Sequence, residues 1–206
     1  MESHFGYGPR RGYQRIVEAL DAHGAKATFS TCGRAAEATP WLIKDAVSRG
    51  HEISCHGWRW ENHAGMTLNN ERDVIRRTFD TISDIAGIAP VGWHTRSATS
   101  PQTRVLLKEH GGFVYDSNAY DDDVPYMDEG LVILPYAFDT NDMRFSPGGG
   151  FVKIQDFVDY VIAGFDRLYA EGDKASRMIS IGLHTRIIGR PSRIGGLENV
   201  LSHIAG

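Results

Sequence analysis

The chain has 206 residues, 41% of them hydrophobic and 23% charged, which is the balance of a globular protein and not of a disordered or membrane-embedded one. A formal net charge of -4, with 22 Lys and Arg scattered along the chain, leaves no basic excess to neutralise phosphates and argues against a nucleic-acid partner. No run approaches the roughly 18 apolar residues of a membrane span, and two cysteines, Cys32 and Cys55, make no disulfide framework, so a cytoplasmic setting without a membrane partner is expected.

The polar, glycine-rich start, residues 1–11, has no secretory-signal pattern and reads as a loop feeding a helix. That helix, over 11–23, carries Ile16, Val17 and Leu20 on one face and stops at Gly24. A short strand over 26–31 follows. Thr39 and Pro40 then give the cap and first turn of a helix through Leu42, Ile43 and Ala46 that ends at Gly50, ahead of a strand over 51–54. The spacing next predicts a helix over 69–86, a strand over 91–93, a helix opened by Ser100 and Pro101 and closed by Gly111, and strands over 113–115 and 131–134. The longest helix, 153–171, has Ile154, Phe157, Val158, Val161, Phe165 and Leu168 at helical spacing; a strand over 178–183 and a helix over 197–204 complete the chain. Strands alternating with helices imply parallel strands joined by crossovers, hence an α/β sheet or barrel.

Reactive groups collect just past the strands. Ser54 and Cys55 lead to His56, Trp93 to His94 and Arg96, Tyr115 to Asp116, Leu134 to Tyr136 and Asp139, and Leu183 to His184 and Arg186. In α/β folds ligands bind at the carboxyl ends of parallel strands, so these clusters are expected to converge on one pocket for a small molecule. His56 and His184 are the candidate catalytic groups, because imidazole gives or takes a proton near neutral pH. The other histidines, among them His4, His23, His51, His63 and His203, sit at turns or helix ends and are read as solvated.

No metal triad is visible. Trp60 stands four positions after His56, and the run Asp121, Asp122, Asp123 is read as a solvated loop. There is no GxSxG elbow, neither cysteine has a paired base in sequence, and Gly148 to Gly150 lack the lysine of a phosphate loop. Trp58, Trp60 and Trp93 lie beside the strand ends, where aromatic surfaces suit a flat ring or a sugar, with Arg96 or Asn141 supplying directed hydrogen bonds.

The segments ATFSTCGRAAEATPWLIKDAVSRGHEISCHGWRW, VGWHTRSATSPQTRVLLKEHGGFVYDSNAYDDDVPY and ISIGLHTRIIGRPSRIGGLENVLSHI resemble the polysaccharide deacetylase superfamily, the NodB-homology group of carbohydrate esterases. With LPYAFDTNDMRF, the chain is most similar to the allantoinase branch of that superfamily, and the likeness runs from Ser3 to Ile204. The resemblance implies one NodB-homology domain over 1–206, a distorted, incomplete (β/α) barrel, and a hydrolase acting on carbon–nitrogen bonds other than peptide bonds. In the metal-dependent members an H-x-x-x-H motif supplies two metal ligands. Here His56 matches the first and Trp60 replaces the second, as in the allantoinase branch, which carries HG-x-RW and is regarded as metal-free. His184 matches the general acid of the last motif, Arg96 stands near the motif arginine, and Asp139, Asn141 and Asp142 of DTND are implied, with Tyr136 and Trp60, as substrate-binding residues. The acidic pair that furnishes the family's general base would lie before Ser3, so an N-terminal truncation and a missing first strand are expected.

The resemblance thus implies ring opening of a ureide or cyclic amide with no cofactor, in purine catabolism. The alternatives are a polysaccharide or chitooligosaccharide N-deacetylase of carbohydrate metabolism, holding a divalent metal such as zinc and acting on an N-acetylated sugar, and a non-catalytic truncated homologue. A homo-oligomer is the expected assembly.

Overall fold

The structure is a computed structural model that describes residues 2–96 and 98–206. The chain forms two compact units, one of residues 27–121 with 125–135, the other of the residues up to 26 with 122–124 and 136–206.

The second of these opens with helix α1 (Glu2–Tyr7), a π-helical turn (Gly8–Gly12) and α2 (Tyr13–Ala22). The start of the chain is therefore helical where sequence predicts a loop. Its anchor is Arg15, whose Nη1 donates to the Tyr7 hydroxyl at 2.5 Å and to the Gly189 carbonyl at 2.9 Å, tethering the glycine-rich turn to a distant loop.

The sheet unit runs β1 (Thr28–Thr31), α3 (Gly33–Ala38), α4 (Pro40–Ser48), β2 (Glu52–Cys55), α5 (Leu68–Ala86), β3 (Gly92–Trp93), α6 (Thr103–His110), β4 (Tyr115–Asp116), β5 (Tyr126–Asp128) and β6 (Leu131–Ile133). The strand order is β1-β2-β3-β4-β6-β5, with every pairing parallel except the β5–β6 hairpin. This is the parallel α/β sheet that the alternation predicts. The hairpin is unforeseen; its turn residues Glu129 and Gly130 both have positive φ, 48° and 89°, which a two-residue turn between twisted strands requires. Helix α5 forms because Thr67 caps its start by accepting from Asn70 N, Gly87 ends it in the left-handed region, and Glu71, Ile75, Thr78 and Ile82 fall on one buried face. Thr39 does not cap α4 as expected, because its hydroxyl turns back to the Ala35 carbonyl at 2.9 Å.

The other unit continues with a 3₁₀ turn (Asp142–Phe145), α7 (Ile154–Glu171) and α8 (Ile194–Ala205). Its core joins Ile16, Val17 and Leu20 of α2 to Phe157 and Val161 of α7 and Leu197 and Val200 of α8. Residues 178–183 form no strand, contrary to the apolar pattern. Their hydrogen bonds go to scattered loop atoms, with Met178 N donating to Asp123 O at 2.8 Å, Ser180 O accepting from Thr140 at 2.5 Å and Gly182 O accepting from Asp142 N at 2.9 Å.

Inside the sheet, Tyr115 of β4 reaches across β3 to donate to Glu52 of β2 at 2.8 Å, while Thr28 of β1 donates to the other carboxylate oxygen at 2.8 Å. The crossing passes over Gly92, where a Cβ would lie 2.0 Å from the Tyr115 ring. Gly92→Ala is expected to destabilise the chain by about 2 kcal/mol or more in urea unfolding, because the added methyl displaces the ring and breaks its bond to Glu52. A change within about 0.5 kcal/mol, the size of an ordinary surface substitution, contradicts the crossing.

Candidate functional site

In the helical unit, His184 is built around Asp142. Asp142 is fully buried and opens the 3₁₀ turn; its Oδ2 accepts from the backbone N–H groups of His184 (2.8 Å) and Ile188 (3.0 Å), and its Oδ1 lies 2.6 Å from His184 Nδ1. A carboxylate accepts, so Nδ1 carries the proton and Nε2 is the acid–base atom of the ring. Asp142, expected to bind substrate, has both oxygens committed to the protein and acts as the orienter of His184, the arrangement that fixes tautomer and ring pose in catalytic dyads. Burial lowers the pKa of the neighbouring Arg186 guanidinium, and the Asp142 charge opposes that shift.

Asn141 and Tyr136 come together beside this pair. Asn141 Oδ1 accepts from Met143 N at 2.8 Å, which leaves its Nδ2 to donate to the Tyr136 oxygen at 2.6 Å. Both crowd Gly182, where a Cβ would fall 2.0 Å from the Tyr136 oxygen and 2.5 Å from Asn141 Nδ2, so only glycine fits two positions before His184. Asp139 points elsewhere: it is exposed and its carboxylate accepts from Tyr160 of α7 at 3.2 Å.

In the sheet unit, His56 follows β2 and His94 follows β3. His56 Nδ1 lies 2.5 Å from the His94 carbonyl, and His94 Nδ1 lies 2.8 Å from the Ser117 carbonyl. Burial keeps His94 toward its neutral form, against the opposing pull of the Ser117 carbonyl and the Asp116 charge. Trp60, 38% exposed, stands at a rim with the Arg96 guanidinium 4.4 Å above its ring. Arg96 Nη1 reaches Asn62 at 3.4 Å, and its buried Nε has no hydrogen-bond partner among the described residues.

Two histidines read as solvated are buried, His51 and His63. His63 Nδ1 lies 3.0 Å from Glu71, whose carboxylate also accepts from Thr103 at 2.5 Å and from the Ser100 hydroxyl. A fully buried glutamate on α5 gives the imidazole a partner that makes burial tolerable, and sequence offers no sign of it beyond the helical position of Glu71.

The donors around Trp60 differ from those of the deacetylase pattern. Where the deacetylase pattern has a second imidazole, the indole of Trp60 lies beneath a guanidinium cation, and among the described residues no three His, Cys, Asp or Glu side chains cluster to hold an ion. The thiols are unsuited to chemistry. Cys32 donates to the His56 carbonyl at 3.3 Å, burial and then Glu61 push its pKa up to about 12, and burial also raises that of Cys55. Cavities of about 460 Å³ beside Ser3, Tyr7, Arg10 and Arg11 and about 380 Å³ beside Phe165, Tyr169 and Met178 contain none of these histidines.

Residues 3–112 match the polysaccharide deacetylase family. The chain is 32% identical to a putative polysaccharide deacetylase of Schizosaccharomyces pombe over 99% of its own length and 70% of the relative's. Among solved structures it is 40% identical to PuuE allantoinase, with a TM-score of 0.95 over 99% of this chain and 69% of that one. It is also 40% identical to a probable polysaccharide deacetylase of Pseudomonas aeruginosa PAO1, with a TM-score of 0.94 over 98% and 69%. The chain belongs to the polysaccharide deacetylase family, its α/β fold is that of the family, and its class is that of the deacetylase and amidohydrolase-type hydrolases. No helix among the described residues is long and apolar enough to cross a membrane.

Native-state alkylation checks the exclusion of a cysteine nucleophile. With the Cys32 pKa near 12, iodoacetamide at pH 8 is expected to modify the folded chain at least about 100-fold more slowly than the unfolded one. Comparable rates in the two states contradict it.

Proposed function

We propose that this chain is an allantoinase-like hydrolase that opens the ring of a ureide or cyclic amide without a metal. The observation that carries the reading is Trp60 beneath Arg96 in place of a second ligating imidazole, and the 40% identity to PuuE allantoinase supports it. His184 is the general acid. Its Nδ1–H is held by Asp142, so the ring, once protonated, is stabilised by a buried carboxylate and presents its second proton at Nε2.

In the reaction, the oxygen of a water molecule adds to the ring carbonyl carbon and the carbon–nitrogen bond breaks. The electron pair goes to nitrogen, that nitrogen takes the proton from His184 Nε2, and the proton shed by the attacking water passes to solvent, from which His184 regains the one it gave up. The products are a carboxylic acid and an open-chain amide or urea nitrogen. His56 is read as the second imidazole of the reaction, Trp60 and Arg96 as contacts for a flat polar ring, and Tyr136 and Asn141 as shape-determining groups beside His184. The two free thiols fit a reducing, cytoplasmic setting.

Allantoin hydrolysis, followed in the chain and in any longer form its gene encodes, tests the reading. Turnover is expected to survive excess chelator, and Asp142→Asn is expected to lower kcat by roughly 100- to 10,000-fold without unfolding, the range seen when a dyad carboxylate is neutralised. Hydrolysis confined to N-acetylated sugars and dependent on added zinc overturns it in favour of a deacetylase. Silence on every ureide and every N-acetylated sugar overturns it in favour of a non-catalytic homologue.

A further inference from the structure

Three adjacent parallel strands end in the same way. Cys55 of β2 pairs with Trp93 of β3, and Trp93 with Asp116 of β4, so the next residues, His56, His94 and Ser117, occupy one equivalent position on three neighbouring strands. Their backbones confirm the equivalence: His56 N donates to Thr31 O, His94 N to Cys55 O and Ser117 N to Trp93 O, each at 2.9 Å.

The side chains then repeat one step. His56 places Nδ1 against the carbonyl of His94, and His94 places Nδ1 against the carbonyl of Ser117, with the Ser117 hydroxyl also 3.1 Å away. A carbonyl oxygen only accepts, so both rings carry the proton on Nδ1. The ring centroids are 5.4 Å apart and the planes differ by 7°, close to the roughly 4.8 Å spacing of neighbouring strands, so one ring is nearly the other moved across by a strand.

We propose that His94 is a positioning residue for His56: its ring, stacked on His56 and anchored on Ser117, holds the His56 plane so that Nδ1–H stays aligned on the His94 carbonyl and Nε2 is presented to the reaction. This rests on the reading of His56 as a reacting imidazole. An apolar residue would fill the same volume without this geometry, so the ring itself is the testable feature.

His94→Leu and His94→Phe conserve most of the volume and keep the backbone carbonyl; only the second keeps a flat ring. The two histidine rings are followed by nitrogen-15 NMR of ring-labelled protein, alongside steady-state kinetics on allantoin. In the parent chain His56 is expected as the Nδ1–H tautomer. In His94→Leu its ring signals are expected to move toward a tautomer average, with kcat down roughly 10- to 100-fold and KM within about threefold, the scale of a small misplacement of a reacting group. His94→Phe is expected to restore the parent tautomer and most of kcat. Identical His56 spectra in the parent and the Leu variant, or equal behaviour of the Leu and Phe variants, overturns the proposal. If His56→Ala leaves turnover unchanged while the Leu variant still shifts the His56 spectrum, the role of His56 in the reaction fails and the positioning stands.

Discussion

A buried carboxylate that has lost its water must be repaid by donors placed around it, and Asp142 receives three: the backbone N–H groups of His184 and Ile188 and the His184 ring. That requirement shapes the surrounding chain. It pins the 3₁₀ turn of 142–145 to the loop of 184–188, aims the imidazole, and leaves Gly182 as the residue small enough to pass Tyr136 and Asn141. The His184 ring is thus positioned by an anion that two backbone N–H groups hold in place.

The sheet unit contains the same chemical pair put to another use. His63 and Glu71 are also a histidine bonded through Nδ1 to a buried acid, yet both side chains are 0% exposed, whereas the His184 side chain is 21% exposed beside a fully buried Asp142. Accessibility separates the two. The His63 pair, with Ser100 and Thr103, fastens the loop after β2 to the start of α6, and His63 N adds a bond to the Ala98 carbonyl at 3.1 Å. Those two loops carry Trp60 and Arg96, so the sealed pair supports the exposed stack.

Much of the architecture is legible in the sequence because its helices have both a face and a stop. The stretch around Ile75 and Ile82 is readable from spacing, and Gly87 and Gly111 end α5 and α6 in the left-handed region. The strand over 178–183 is misread for the opposite reason: an apolar run carries β pattern but does not reveal whether a partner ladder exists. The hairpin of 126–133 hides because its signal is two turn residues, Glu129 and Gly130, and not a periodicity. Among the candidate site residues, His56 is legible as an imidazole just past a strand, whereas His184 is singled out by a strand over 178–183 that the structure does not form. The role of Asp142 is not legible, since its partner lies 42 residues away in sequence, and the same distance problem conceals the burial of His63. His94 is visible next to Trp93, but its relation to His56 exists only in the register of β2 and β3.

All of this turns on which nitrogen of His184 bears the proton. Long-range proton–nitrogen-15 correlation spectra of the histidine rings, recorded at a pH where His184 is neutral, read this directly. The predicted result is a protonated Nδ1 and a bare Nε2 for His184, lost in Asp142→Asn. A protonated Nε2, or a His184 spectrum indifferent to Asp142, would contradict the account.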